Sequence, residues 1–164
     1  MVYKHLYISP LGSILIASNG EALTGLWFDE QKHFPHKLIS ESIETELPIF
    51  TQTIEWLDTY FGGAVPDFTP QISLQTTPFR KAVYEILLKI PYGHIMTYGE
   101  IANIIAEQKS IKRMSAQAVG GAVGHNSISI IIPCHRVVGT DSSLTGYAGG
   151  LDKKIELLKL ENAL

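Results

Sequence analysis

Only one cysteine, Cys134, stands among 164 residues. That scarcity excludes an internal disulfide and any multi-cysteine zinc cage. No apolar run approaches the roughly 20 residues needed to span a bilayer. Met1-Val2-Tyr3-Lys4-His5 carries no apolar signal region, so the cytoplasm is the expected compartment and no membrane partner is expected. Basic side chains are scarce in the first half: residues 1–79 hold three Lys/Arg against nine Asp/Glu, a net −6. Residues 80–164 hold ten against seven, a net +3, within a total of −3. The half with the cysteine is thus the one suited to a polyanion, although a charge block is also what a solvated face looks like. The remaining composition, 45% hydrophobic and 18% charged, is that of a soluble globular chain. Its length fits one medium domain or two small ones.

The cysteine lies in Ile130-Ile131-Ile132-Pro133-Cys134-His135-Arg136-Val137-Val138. Three consecutive isoleucines read as a buried strand, and Pro133 removes a ladder donor where that strand should end. A thiol with an ordinary pKa of about 8.5 needs a base to become nucleophilic at neutral pH. His135 can serve only if the turn after Pro133 folds the two side chains together, because neighbours on an extended segment point to opposite faces. Alternatively, Cys134 is a small buried hydrophobe.

The first half reads as three short antiparallel strands, residues 2–8, 13–18 and 23–28, joined by Ser9-Pro10-Leu11-Gly12 and by Asn19-Gly20, a strong hairpin signal. Residues 30–45 carry no clear period. Pro48 to Phe61 has helical spacing and ends at Gly62-Gly63. Val65 to Leu74, with two prolines, reads as a linker or an edge strand.

The second half reads as helices with explicit start signals. Thr77-Pro78 caps a helix running towards Pro91-Tyr92-Gly93. Thr97-Tyr98-Gly99-Glu100 has capping-box spacing for the next helix. Ser115 can cap a third, from Ala116 to about Val123, with Val119 and Val123 facing inward. That helix is unusually small, with Ala116, Ala118, Gly120, Gly121 and Ala122. Glycine lowers helix propensity by up to about 1 kcal/mol against alanine, so the pair implies a close approach, by another helix or by something outside the chain. Two short helices joined by a turn containing Lys109, Lys112 and Arg113 form a helix-turn-helix candidate. Its amide groups and lysines would meet phosphates. Tyr147, among the glycines of Thr145-Gly146-Tyr147-Ala148-Gly149-Gly150, offers a flat surface for a planar base, or marks a plain flexible loop. A last helix carries Leu151, Ile155, Leu157, Leu158 and Leu160. Glu161 shares the inward side of Leu157 and Leu158, with His135 as its expected partner unless the terminus is frayed and solvated.

Four segments occur together in order: Pro133-Cys134-His135-Arg136-Val137-Val138-Gly139, Met96-Thr97-Tyr98-Gly99-Glu100-Ile101-Ala102, Ala118-Val119-Gly120-Gly121-Ala122 and Thr145-Gly146-Tyr147-Ala148-Gly149-Gly150. In this combination the chain, from about Phe79 to Glu161, resembles the O6-alkylguanine-DNA alkyltransferase family. The resemblance implies an α+β protein. Residues 1–75 would be the N-terminal domain, a three-stranded antiparallel sheet with helices in a ribonuclease-H-like arrangement. Residues 76–164 would be a mostly helical, winged-helix-like DNA-binding and active-site domain. It further implies a monomer acting on double-stranded DNA that contains O6-alkylguanine, with O4-methylthymine a second substrate, and with neither cofactor nor metal.

Carried over by position, Cys134 is the methyl acceptor, His135 its base through a water, and Glu161 the orienter of His135. Asn126 braces the turn between recognition helix and active-site segment. Tyr98 hydrogen-bonds the flipped base and donates a proton to it. Tyr147 walls the pocket beside Gly149, the Ala148 N–H meets O6, and the carbonyls of Cys134 and Val137 receive the exocyclic amine. Ser115, Gln117, Ala118, Gly120 and Gly121, with Arg113 and Arg136, are the expected DNA contacts. Gln117 stands where the family usually has an arginine, Ala148 where serine is frequent, and Ser127 where proline is common. The competing readings are a lesion-binding module without repair activity, a helix-turn-helix regulator with an incidental cysteine, and a cysteine hydrolase.

Overall fold

The computed structural model describes residues 1–164, which separate into two compact units. The first comprises Met1–Leu74 together with Ser127–Ser129. Its strands are β1 (Tyr3–Ser9), β2 (Gly12–Ser18) and β3 (Leu23–Phe28), paired antiparallel in sequence order. Both turns follow from local chemistry. Gly12 and Gly20 take φ of +115° and +109°, and the Asn19 side chain accepts from the N–H groups of Glu21 and Ala22. The unassigned stretch supplies a short helix, α1 (His36–Ser40), and a two-residue strand, β4 (Ile43–Glu44), which runs parallel to β1 and makes the sheet four-stranded. Helix α2 (Pro48–Phe61) lies against residues 5 and 7 of β1: His5 stacks on Phe50, and Tyr7 stacks on Phe61 and donates to Asp58. Gly25 is required by a neighbour, since a side chain there would run into the Trp27 indole.

The far edge of this sheet is lined by two distant pieces of chain. Ile72, in the stretch read as linker or edge strand, bridges to Leu23. Ile128 bridges to Leu26, which donates to the Ser127 carbonyl at 2.8 Å and accepts from the Ser129 N–H at 2.9 Å.

The second unit comprises Gln75–Asn126 and Ile130–Leu164. Its helices are α3 (Pro78–Leu87), α4 (Tyr98–Gln108), α5 (Ala116–Gly124) and α6 (Leu151–Leu160). Three start where a side chain satisfies orphan amides. Thr77 accepts from Arg80, Thr97 and Glu100 form the complete capping box, and Ser115 accepts from Gln117 and Ala118. Val119, Ala122 and Val123 bury the inner side of α5, and the Tyr84 hydroxyl ties α3 to it by donating to the Ala122 carbonyl at 2.8 Å.

The isoleucine run departs from the expected strand. Ile130, Ile131 and Ile132 are buried, at 1%, 5% and 0% exposure, but they form a turn, with Ile130 at φ +71°. A β-branched residue is costly in that region, and burial on all sides of the turn offsets the cost. The turn follows Ile128, at the sheet edge, and precedes the segment that carries Cys134. The strand pairing here falls after the cysteine, where β6 (Val137–Val138) lies parallel to β5 (Met96–Thr97).

Candidate active site and nucleic-acid face

Cys134, His135 and Arg136 form one turn of 3₁₀ helix directly after Pro133. That turn replaces the alternation of a strand, and in it the backbone amides of Cys134 and His135 point at the thiol. All three are buried, at 5%, 0% and 8% exposure. His135 and Arg136 share one partner, Glu161, the residue that ends α6, itself 2% exposed. His135 Nε2 lies 2.6 Å from one carboxylate oxygen, Oε2. Arg136 grips both oxygens, Nε to Oε1 at 2.7 Å and Nη2 to Oε2 at 3.1 Å, and its Nη1 donates to the Ile90 carbonyl at 2.7 Å. The Gly93 N–H adds a fourth bond to the carboxylate, at 3.2 Å to Oε1.

This geometry corrects one expectation. Arg136 is not an outward phosphate contact: its three guanidinium nitrogens are all engaged inside the unit, and its carbon lies 5.8 Å from the centre of the Tyr92 ring. The sequence-adjacent His135 and Arg136 instead share one carboxylate. Arg113, by contrast, is exposed, as are Lys109 and Lys112, and Lys109 stacks over the Phe79 ring at 5.1 Å.

The electrostatics follow from burial and these contacts. Burial would raise the Glu161 pKa, but the hydrogen bonds and charges of His135 and Arg136 prevail and hold it far below the carboxylate range. Burial lowers the His135 pKa. Glu161 opposes that, while Arg136 and Lys154 add to it, and the imidazole stays neutral at pH 7. The 2.6 Å contact is therefore a hydrogen bond from a neutral ring to a carboxylate, which leaves Nδ1 as the acceptor nitrogen facing away from Glu161. Burial raises the Cys134 pKa against the lowering effects of the Asn126 side chain, Lys154 and the backbone amides of Cys134 and His135. At rest the pair is thus thiol and imidazole.

Asn126, 4% exposed, donates from Nδ2 to the Ile132 carbonyl at 2.9 Å and so closes the buried turn just before the cysteine. Lys154 is a site residue that sequence reasoning missed. It is fully buried on α6, and its ammonium donates to the carbonyls of Val137, Thr145 and Gly146 at 2.6, 2.9 and 3.1 Å. Burial lowers its pKa to about 8, with the Cys134 charge opposing. It fastens the Tyr147 loop to β6. It also occupies one acceptor position of the Val137 carbonyl. No local signal marks such a lysine, since lysine on an amphipathic helix is ordinarily solvated.

Tyr98 lines a recess of about 680 Å³, together with Gly99, Ala116, Gln117, Gly120, Gly121, Gly139 and Thr140. Cys134 is not in its lining. Burial raises the Tyr98 pKa, with a hydrogen bond to Thr145 opposing and Cys134 reinforcing. The recess resolves the question of the small helix. A Cβ at Gly121 would meet nothing within 4 Å, and one at Gly120 would make only ordinary contact, at 3.9 Å, with the Tyr98 ring. Only the Tyr98 ring, at the start of α4, reaches Gly120, and nothing reaches Gly121. Ser115, Gln117, Ala118 and Gly121 are exposed and Gly120 is half-buried, so α5 presents a slim outer side. Tyr147, Ala148 and Gly149 are half-buried, and the Tyr147 ring lies edge-on to His135 with centroids 6.5 Å apart. No helix is long and apolar enough to cross a membrane.

Comparison with known proteins gives this arrangement a context. Residues 2–74 match the family described as 6-O-methylguanine DNA methyltransferase, ribonuclease-like domain, and residues 78–163 match its DNA binding domain. The chain belongs to the 6-O-methylguanine DNA methyltransferase family. The methylated-DNA--protein-cysteine methyltransferase of Haemophilus influenzae is 41% identical over 161 residues, 98% of this chain and 86% of that one. The protein of the same name from Methanosarcina acetivorans is 40% identical, covering 99% of both chains. The crystal structure of Mycobacterium tuberculosis O6-methylguanine methyltransferase superposes with a TM-score of 0.84 at 39% identity, covering 99% of this chain and 94% of that one. A structure of Mycobacterium tuberculosis OGT in complex with DNA superposes with a TM-score of 0.83 at 38% identity, over 98% and 93% of the two chains. The slim outer side of α5 and the buried thiol both lie within the residues that match the DNA binding domain.

Proposed function

We propose that this chain repairs DNA by moving the methyl group of O6-methylguanine irreversibly onto Cys134, as a monomer in the cytoplasm. The observation that carries the reading is the hydrogen bond to buried Glu161 made by buried His135, which shares its 3₁₀ turn with the only thiol of the chain. The duplex is read by α5. Backbone amides near Ser115 and the side chains of Lys109, Lys112 and Arg113 face phosphates, while Gly120 and Gly121 allow the backbone to approach the groove. The target nucleotide rotates out of the stack and Gln117 fills its place. The extruded base lies against Tyr147, with the Ala148 N–H towards O6, Gly149 beside it, and the carbonyls of Cys134 and Val137 towards the exocyclic amine.

His135 Nδ1 takes the Cys134 proton through a bridging water, and Glu161 stabilises the imidazolium. The thiolate sulfur attacks the methyl carbon, an S–C bond forms, and the C–O6 bond breaks with its electron pair going to the base. Tyr98 donates a proton to the departing guanine, which is left restored in the DNA. A thioether is a poor leaving group and the chain holds no second thiol to resolve it, so each molecule reacts once. O4-methylthymine presents the same methyl-on-oxygen chemistry and is the second substrate of this reading.

Mass spectrometry of the protein mixed with a duplex containing O6-methylguanine tests the assignment. One methyl on the Cys134 peptide, and never more than one methyl removed per molecule, is the expected result. A lesion-binding module or a regulator would hold the duplex and gain no mass.

The wedge role of Gln117 makes a separate prediction. Extruding a base costs a few kcal/mol of stacking and pairing, and a side chain in the gap recovers part of it. Gln117→Gly should slow repair of a duplex by about tenfold and leave the same oligonucleotide in single-stranded form nearly unaffected. Equal slowing of both substrates would make Gln117 a packing element of α5. Gln117→Arg should preserve or improve duplex repair by adding charge near the backbone.

A further inference from the structure

His135 and Arg136 meet on the same carboxylate oxygen, Oε2 of Glu161, at 2.6 and 3.1 Å. The guanidinium is itself immobilised. It binds the other oxygen at 2.7 Å, reaches the Ile90 carbonyl at 2.7 Å, and lies over the Tyr92 ring, whose hydroxyl donates to the Leu160 carbonyl at 3.3 Å. Gly93 completes the cradle. At φ +81° its N–H points to Oε1, and a Cβ there would sit 3.1 Å from the Glu161 main-chain oxygen. A carboxylate held by four hydrogen bonds cannot rotate to follow the imidazole. The groups facing His135 are Cys134 and Arg136 from its own turn, Lys154 from α6, Glu161 from the end of α6, and Tyr147 from the loop.

We propose that Arg136 is a positioning residue for methyl transfer, acting through Glu161: it fixes Oε2 against His135 Nε2 and places a permanent positive charge beside the imidazole. This rests on the reading of Cys134 as methyl acceptor and His135 as its base. Two effects follow, and they separate. The alignment keeps Nδ1 directed away from Glu161, which governs the rate at any pH where the ring is neutral. The charge disfavours a second cation on the same carboxylate, which governs the pH at which the ring becomes protonated and stops acting as a base. Glu161 alone would favour the imidazolium; shared with Arg136, it does so less.

The test uses the full-length protein, with Arg136→Met and Arg136→Lys. Single-turnover rate constants for methyl transfer from an O6-methylguanine duplex are measured between about pH 5.5 and 9, and the His135 imidazole is titrated by NMR without DNA. Arg136→Met removes charge and alignment. Its acid limb and its His135 titration should both rise by about one pH unit, the scale of a single neighbouring charge. Arg136→Lys keeps the charge but cannot grip two oxygens at once. Its limb should stay near that of the wild type while the plateau rate falls. A scaffold residue would change thermal stability in both variants and move neither limb nor titration. An unmoved limb in Arg136→Met, or a wild-type plateau in Arg136→Lys, overturns the proposal. If Arg136→Met does not fold, the lysine variant decides alone by the same two readings. Wild-type protein that gains no methyl on Cys134 fails the underlying reading, and the NMR titrations still show whether Arg136 governs His135.

Discussion

Replacing Cys134 by serine is expected to abolish methyl transfer, by at least about a thousandfold, while duplex binding persists. The hydroxyl is a far weaker acid than the thiol, and a neutral imidazole cannot remove its proton to a useful extent. The residues proposed to meet the duplex, from Lys109 to Gly121, lie apart from the buried 3₁₀ turn, so their contacts should survive the change. Transfer is measured by mass on the protein and binding by titration of a fluorescent O6-methylguanine duplex at fixed salt. Parallel loss of both activities, with a lowered melting temperature, would make Cys134 a structural residue and return it to the class of small buried hydrophobes.

Glu161→Ala should lower stability by about 3–5 kcal/mol at pH 7, the scale observed when one partner of a buried ion pair is removed. The loss reflects what remains: the Arg136 side chain, 10% exposed, would lie beside a cavity with its Nε and Nη2 unbonded. Against a typical domain stability of about 5–15 kcal/mol, that is a large fraction. The pH dependence has a definite sign. The folded-state pKa of Glu161 is depressed below an unfolded value of about 4.3. Its contribution is complete above that unfolded value and is lost as pH falls towards the folded one. The stability gap between wild type and Glu161→Ala should therefore be widest at neutral pH and narrow steadily below about pH 4. Chemical denaturation at several pH values measures it; a gap that widens on acidification would contradict the assignment.

Features governed by near neighbours in the chain were legible in the sequence. Thr77, Thr97 and Ser115 each supply an oxygen to amides two or three residues ahead, and the hairpin at Asn19-Gly20 needs only its own side chain and glycine. The inward Glu161 was legible for the same reason, from its spacing behind Leu157 and Leu158. The isoleucine turn was not. Three buried apolar residues in a row look alike in a strand and in a turn buried on all sides, and only the path from Ile128 to Pro133 distinguishes them. Arg136 and Lys154 were misjudged or missed because charged side chains default to solvent. Their burial depends on carbonyls and a carboxylate brought together by residues as distant as Ile90 and Thr145. A resemblance in sequence pointed to the right neighbourhood but did not reveal which cation faced inward.

The bridge between Leu26 and Ile128 has a kinetic consequence. Roughly 100 residues of chain separate its two ends, and closing a loop of that length must precede any gain from the contact. Contacts of such high sequence separation slow folding, whereas the capped helices and the first hairpin need only local closure. The sheet edge at Ile128 should therefore be completed late. The Ser127–Ser129 segment would then dock on β3 only after the capped helices and the first hairpin have formed.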